Sequence, residues 1–146
     1  IAVALLGFAT VSAEAMETWQ GDIFIKTATA RCVETGWAAG IFLRSVYRPA
    51  NLTDNGSHSE LSLLTQRSAF HFSQPGKLRN GKWDAVHITG RAIRENYTAT
   101  ASMIELSPAT VQANTQAVTI SGRLANFNNT PGGCTITFIG TFGPRP

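Results

Sequence analysis

The chain is short of charge, short of cysteine and, after its first residues, short of long apolar runs, and each shortage narrows what it can be. Asp, Glu, Lys and Arg make up 14% of the 146 residues, against roughly 25% in an ordinary soluble domain. With 43% hydrophobic residues beside so little charge, neither a disordered chain nor a coiled coil fits. After Ala9 no stretch approaches the roughly 20 apolar residues that a spanning helix requires. The two cysteines have no nearby histidine, so they do not form a four-ligand zinc site. The sequence also lacks a G-x-S-x-G elbow, an H-E-x-x-H pair and a Walker loop.

What remains is a packed globule of one domain, since a chain near 150 residues supports one core but not two. Its first nine residues, Ile1 to Ala9, are apolar and uncharged, and Ala13-Glu14-Ala15 follows in the small-x-small pattern of an export cleavage site. A starting Met and a basic n-region are absent. Residues 1–15 therefore read as a partial signal peptide and residues 16–146 as a single exported domain, periplasmic or secreted. In an oxidising compartment Cys32 and Cys134 are expected to pair with each other. The loop they close holds roughly 100 residues, for which the chain-entropy model gives about 4.7 kcal/mol.

Beyond the leader, Gly, Asn, Pro and Ser punctuate segments rich in Thr, Val, Ile and Phe, which is strand chemistry. From Cys134 to Phe142 the alternation puts Cys134, Ile136, Phe138, Gly140 and Phe142 on one face. Val118, Ile120 and Leu124 share a face in the same way, as do Trp19, Ile23 and Ile25, whereas Phe24 and Cys32 fall in the other phase and suggest a bulge or bend between Ile25 and Cys32. Another phase shift falls at Met103-Ile104, and Gln66 to Ser68 reads as a tight turn or a bulge. In the segment from Asp84 to Gly90, Val86 and Ile88 form the expected core face, which turns His87 outward; His71, between Phe70 and Phe72, is expected outward by the same logic.

About eight strands result, near 19–28, 40–48, 58–66, 68–73, 84–93, 98–106, 115–125 and 134–142. The connections are too short to hide a crossover helix, and at most a short turn is expected within residues 33–39. Neighbouring strands then pair antiparallel, giving an all-β up-and-down barrel with one disulfide, or alternatively a sandwich. The disulfide favours the barrel, because it brings the first and last strands together.

Candidate site residues come from aromatic and basic side chains that a barrel mouth would expose: Trp37, Arg44, Arg48, Trp83 and Arg91. They suit an exported, non-enzymatic barrel that binds a small molecule, a polysaccharide of the envelope or a partner protein. No cofactor and no nucleic acid are implied, since the basic residues are too few for a phosphate-tracking stripe. Two alternatives remain open: an outer-membrane barrel, whose strands would escape a hydropathy search, and a metal-dependent hydrolase built on His71 and His87 if both face a polar lumen. Asn51, Asn55, Asn96 and Asn128 head Asn-x-Ser/Thr triplets, read here as turn chemistry.

Overall fold

A computed structural model describes residues 18–50, 56–90 and 94–145, with the side chain of Arg94 left aside. The expected leader, Arg91, Asn51 and Asn55 lie outside the described residues. Eight antiparallel strands follow one another around a closed barrel. They are β1 (Trp19–Ala28), β2 (Phe42–Arg48), β3 (His58–Leu64), β4 (Ser68–Pro75), β5 (Gly81–Thr89), β6 (Arg94–Ser107), β7 (Val118–Ala125) and β8 (Thr135–Pro144). A single short helix, α1 (Ala30–Glu34), interrupts the β1–β2 connection. It starts ahead of the segment expected to turn, because Gly36 takes φ +93 and stops helical propagation there.

Closure is made by β1 and β8, which pair from Trp19↔Pro144 to Ala28↔Ile136. The Cys32–Cys134 disulfide sits at the end of this seam, with the two Cα atoms 4.7 Å apart. Hydrogen bonds knit the same corner: the Thr29 amide donates to the Thr135 carbonyl at 3.0 Å, and the Thr135 amide to Thr29 Oγ1 at 3.1 Å. Arg31 donates from Nη2 to the Pro131 carbonyl at 2.7 Å. Along the seam Gly21 faces Phe142, and a Cβ at Gly21 would stand 1.9 Å from the Thr141 carbonyl oxygen. Only glycine lets the two strands approach this closely.

Two irregularities fall where the alternation breaks. The β1–β8 register shifts between Ile25 and Thr27, and the β6–β7 register shifts between Ser102 and Glu105. At the second, Met103 takes φ 54 and Ile104 presses on the opposite strand, where a Cβ on Gly122 would lie 2.4 Å from Ile104 Cδ1. The bulge and the glycine are therefore paired features. Residues 65–67 form a tight turn, with Thr65 Oγ1 accepting from the amides of Arg67 and Ser68.

The phase of β5 differs from expectation. Trp83 and Ala85 point inward and are buried, so Val86 and Ile88 stand on the outer wall. One indole determines the outcome: Trp83 is fully buried, and its Nε1 donates to the Arg79 carbonyl at 2.9 Å. Burying an aromatic of this size outweighs turning two β-branched residues inward. The inward neighbour is Ala85, which leaves room for Phe72 and Tyr97, its partners on β4 and β6.

Replacing Cys32 and Cys134 together by serine is expected to lower stability by about 2–5 kcal/mol, read from the urea midpoint against the oxidised protein. Gly21→Val is expected to cost about 3 kcal/mol through overpacking at the seam. Valine in place of the neighbouring exposed Gln20, where a Cβ is already accommodated, serves as its control.

Candidate functional site

The interior is the first place to look for a ligand, and it is occupied by side chains. Trp19, Trp83, Tyr47, Phe70, Phe72, Phe138 and Phe142 are all fully buried, with Ile23, Ile25, Leu61 and Leu63 between them. Small inward residues, Ala85, Ala99, Ala101 and Gly140, lie among the large ones. This large-and-small interleaving fills a narrow barrel, as it must where eight strands leave an interior only wide enough for side chains.

Side chains also lie across parts of both ends among the described residues. At one end Trp37 stands edge-on to Phe70 and Phe127, with ring centroids 5.4 and 5.2 Å apart. Phe127 is buried; its amide donates to the Cys134 carbonyl at 2.9 Å, and its carbonyl accepts from the Tyr97 hydroxyl. At the other end Leu78 is buried beside Trp83, and Gln74 Oε1 accepts from the Arg79 amide at 2.9 Å. The ring of Tyr47 meets that of Phe142 at 6.0 Å.

The expected site residues are therefore dispersed. Trp37 caps the end that carries the disulfide, whereas Trp83 lies inside the barrel toward the opposite end. Arg44 and Arg48 are on the outer wall of β2. Arg44 is exposed; Arg48 donates from Nη1 to Glu60 Oε2 at 3.1 Å. Trp37 and Arg44 do meet, at an open groove of about 540 Å³ that Ile41, Phe42, Leu64 and Gln66 also line.

The two histidines part company. His71 is on the outer wall of β4, as expected. His87 instead belongs to the inward phase of β5, where it stacks on Phe70 at the barrel rim with centroids 4.4 Å apart. Trp83 fixes that phase, so the expectation of an outward His87 is corrected together with that of an inward Val86 and Ile88. A metal shared by His71 and His87 would need them on one side of the sheet. Among the described residues no group of three or more His, Cys, Asp and Glu converges as a ligand set.

His71 has other neighbours. Its Nδ1 lies 2.9 Å from Ser62 Oγ, and its Nε2 lies 3.9 Å from Glu60 Oε1, with Arg48 on the far oxygen of that carboxylate. A hydroxyl, an imidazole and a carboxylate in sequence resemble the parts of a nucleophilic triad. However, β3 and β4 are laddered on both sides, so their amides are committed to the sheet and cannot form an oxyanion-binding pair beside Ser62. The row acts as a cross-strand polar tie, on the order of 1 kcal/mol per contact.

The outer wall has one further feature that was not foreseen. Phe24 on β1 is the register partner of both Phe42 on β2 and Ile139 on β8. These three outward side chains form an apolar row; Phe42 is 68% exposed and Ile139 40%, and the rings of Phe24 and Phe42 are 4.8 Å apart. The out-of-phase Phe24 and the double-sided apolar start of β2 were the signals in the sequence. That Ile139 adjoins them follows only from closure.

The chain matches no protein-family model, no curated protein and no solved structure.

Burial raises the pKa of Tyr47 from 10.0 to about 12, with a hydrogen bond to Ser59 opposing the shift, and burial likewise raises that of Tyr97. Below pH 10 both the folded and unfolded chains hold these protons. Between 10 and 12 the unfolded chain loses the Tyr47 proton first, so stability falls with rising pH, by on the order of 3 kcal/mol for Tyr47 once pH exceeds 12. Tyrosinate absorbance is expected to rise together with loss of the folded circular-dichroism signal. A tyrosinate transition near pH 10 in a chain that stays folded would contradict the burial of both hydroxyls.

Proposed function

We propose that this chain is an exported, non-enzymatic β-barrel that recognises a partner on its outer surface instead of enclosing a small ligand. The observation that carries this reading is the filled interior, capped by Trp37 and Phe127 at the end that carries the disulfide. A ligand-binding barrel needs an internal cavity of several hundred cubic ångströms with a few convergent polar groups, and the space inside this one is taken up by its own aromatic rings.

Export is supported by the disulfide, a bond that persists in oxidising compartments and is rare in reducing ones. No helix among the described residues is long and apolar enough to cross a membrane. The polarity of the wall bears on the membrane-barrel alternative. Asp22, Lys26, Arg44, Lys82, Asp84, Glu105 and Arg123 are exposed outward-phase residues, whereas the inward face is apolar. A membrane barrel has the reverse arrangement, an apolar outer band around a polar interior. The recognition surface is best sought around the groove where Trp37, Phe42, Leu64 and Arg44 meet, because it combines exposed apolar area, an indole and an exposed arginine.

Tryptophan emission tests this directly, since Trp19 and Trp83 are buried and Trp37 is half-buried. In the Trp37→Phe variant the remaining emission is expected to resist acrylamide and to stay unchanged across a panel of apolar and ring-shaped small molecules. A ligand that shifts or quenches Trp19 and Trp83 in that variant, without unfolding it, would show that the barrel opens to small molecules and would overturn the proposal.

A further inference from the structure

A closed barrel has no strand edge to offer, so what it recognises must meet the side chains of its wall or of its ends. Exposed apolar side chains gather at the end that carries the disulfide: Val33 on α1, Phe42 at the start of β2 and Leu64 at the close of β3. Trp37, half-buried, shares one groove with Phe42 and Leu64. Base gathers there too. Arg44 lines that groove, Arg67 follows it in the β3–β4 turn, and Lys26 lies two residues beyond Phe24 toward the end of β1. All three are exposed, and none has an ion-pair partner among the described residues. Of the acids near them, Glu34 is held by Arg31 within α1. Asp22, the register partner of Arg44, makes no ion pair with it and lies farther from this end, so the three bases keep a surplus over it. Glu95 is on β6, across the barrel from β2.

The geometry points to an anionic lipid surface as the partner of this end, on which the barrel lies without spanning it. The inference rests on the surface-recognition reading and names the partner that the same groove meets. A lipid surface uses both features at once. Val33, Phe42 and Leu64 enter the boundary below the headgroups with the Trp37 indole at headgroup level, while lysine and arginine hold their charges at the phosphates on long apolar stems. A polyanion in water, such as a nucleic acid or an acidic polysaccharide, would answer the bases and leave the apolar side chains exposed. A protein segment laid in the groove would cover Phe42 and reach Arg44, but it would leave Val33, Lys26 and Arg67 outside the contact, since none of them lines the groove. A second copy brought to the same end would set base against base. The apolar side chains belong to three separate elements at one end of a barrel, and a broad plane touches all of them together.

Few side chains take part, yet the contact does not need the roughly 800 Å² per partner of a standard protein interface. Adsorption to lipid scales with the apolar area inserted and with the attraction between bases and anionic headgroups. Each base near an anionic surface is expected to raise partitioning about fivefold. Salt removes most of that gain as the Debye length falls from about 10 Å at 0.1 M to about 3 Å at 1 M. Binding is therefore expected to be weak, reversible and sensitive to salt.

Co-sedimentation of the oxidised, purified chain with vesicles is expected to show binding to phosphatidylcholine carrying about 30% phosphatidylglycerol, lost in about 1 M salt, and none to phosphatidylcholine alone. Lipids brominated along their acyl chains are expected to quench Trp37 and spare the buried Trp19 and Trp83, so the quenching disappears in Trp37→Phe. Phe42→Ser is expected to weaken binding about tenfold, and Arg44→Gln combined with Arg67→Gln roughly twentyfold. Lys77→Gln combined with Lys82→Gln removes the same charge from the opposite end and is expected to leave binding unchanged, which separates the effect of this end from that of net charge. Unchanged circular dichroism and urea midpoints establish that these surface variants fold. The proposal is overturned by a chain that ignores anionic vesicles, by equal binding to neutral ones, by binding that leaves Trp37 unquenched, or by a loss that the Lys77 and Lys82 variant shares in full. A chain that ignores vesicles, and whose Trp19 and Trp83 also ignore small ligands, would refute the lipid partner and leave surface recognition of a protein standing.

Discussion

The structure depends on the pairing of its first strand with its last. Among the described residues, β1 and β8 are the only sequence-distant strands that pair, and they do so along the whole length of β1, from Trp19 to Ala28. Every other pairing joins neighbours in the chain and requires only a short turn. Closing the ring means bringing together segments more than a hundred residues apart, and the Cys32–Cys134 bond reduces that entropic cost by restricting the unfolded chain in the same sense. Gly21 serves the seam from the opposite direction, by omitting a side chain where the Thr141 carbonyl passes. A covalent tie and an absent Cβ thus address one problem, the closeness of two distant strands.

Closure then dictates the interior. Eight strands curled into a ring enclose a space that aromatic side chains can fill, and the inward phase of each strand contributes to filling it: Trp19 and Ile23 from β1, Tyr47 from β2, Phe70 and Phe72 from β4, Trp83 from β5, Phe138 and Phe142 from β8. The end that carries the disulfide is covered by residues that the strands cannot supply. Phe127 and Trp37 come from connections, and Tyr97 and the disulfide hold the Phe127 loop in place. The same corner that joins first and last strands therefore also shuts one mouth of the barrel.

Much of this architecture was legible in the residues, for a physical reason: where a strand carries several large apolar side chains at period two, one face is far more favourable to bury than the other. β7 and β8 are of this kind, and their inward sets are the expected ones. The breaks in alternation were legible too, because a bulge adds one residue and must reverse the pattern on either side, as at Ile25–Thr27 and at Met103–Ile104. β5 misled because its pattern offers two short apolar sets in opposite phases, Val86 with Ile88 and Trp83 with Ala85, and size, not count, decided between them. Site residues were less legible. Trp37 and Trp83 look alike in sequence, yet one caps an end and the other sits within the barrel, because placement along the barrel axis depends on strand direction and register, which periodicity does not encode.

A closed barrel with a solid interior has given up two of the three means by which small β proteins recognise others. Among the described residues its interior is filled by side chains and its strands leave no open edge to extend with another strand. What is left is the chemistry of its outward side chains, and most of those are the Thr, Ser and charged residues that keep a wall in water. The apolar row on β8, β1 and β2 runs against that economy: Phe42 alone exposes two thirds of a phenyl ring to solvent in a strand where polar residues would serve the fold equally well. The row also spans the β1–β8 seam, at whose end the disulfide sits. A rigid apolar strip loses little conformational entropy when it is covered. On the proposed surface-recognition reading, the closure that packs the inside of the barrel also holds this outer strip in place.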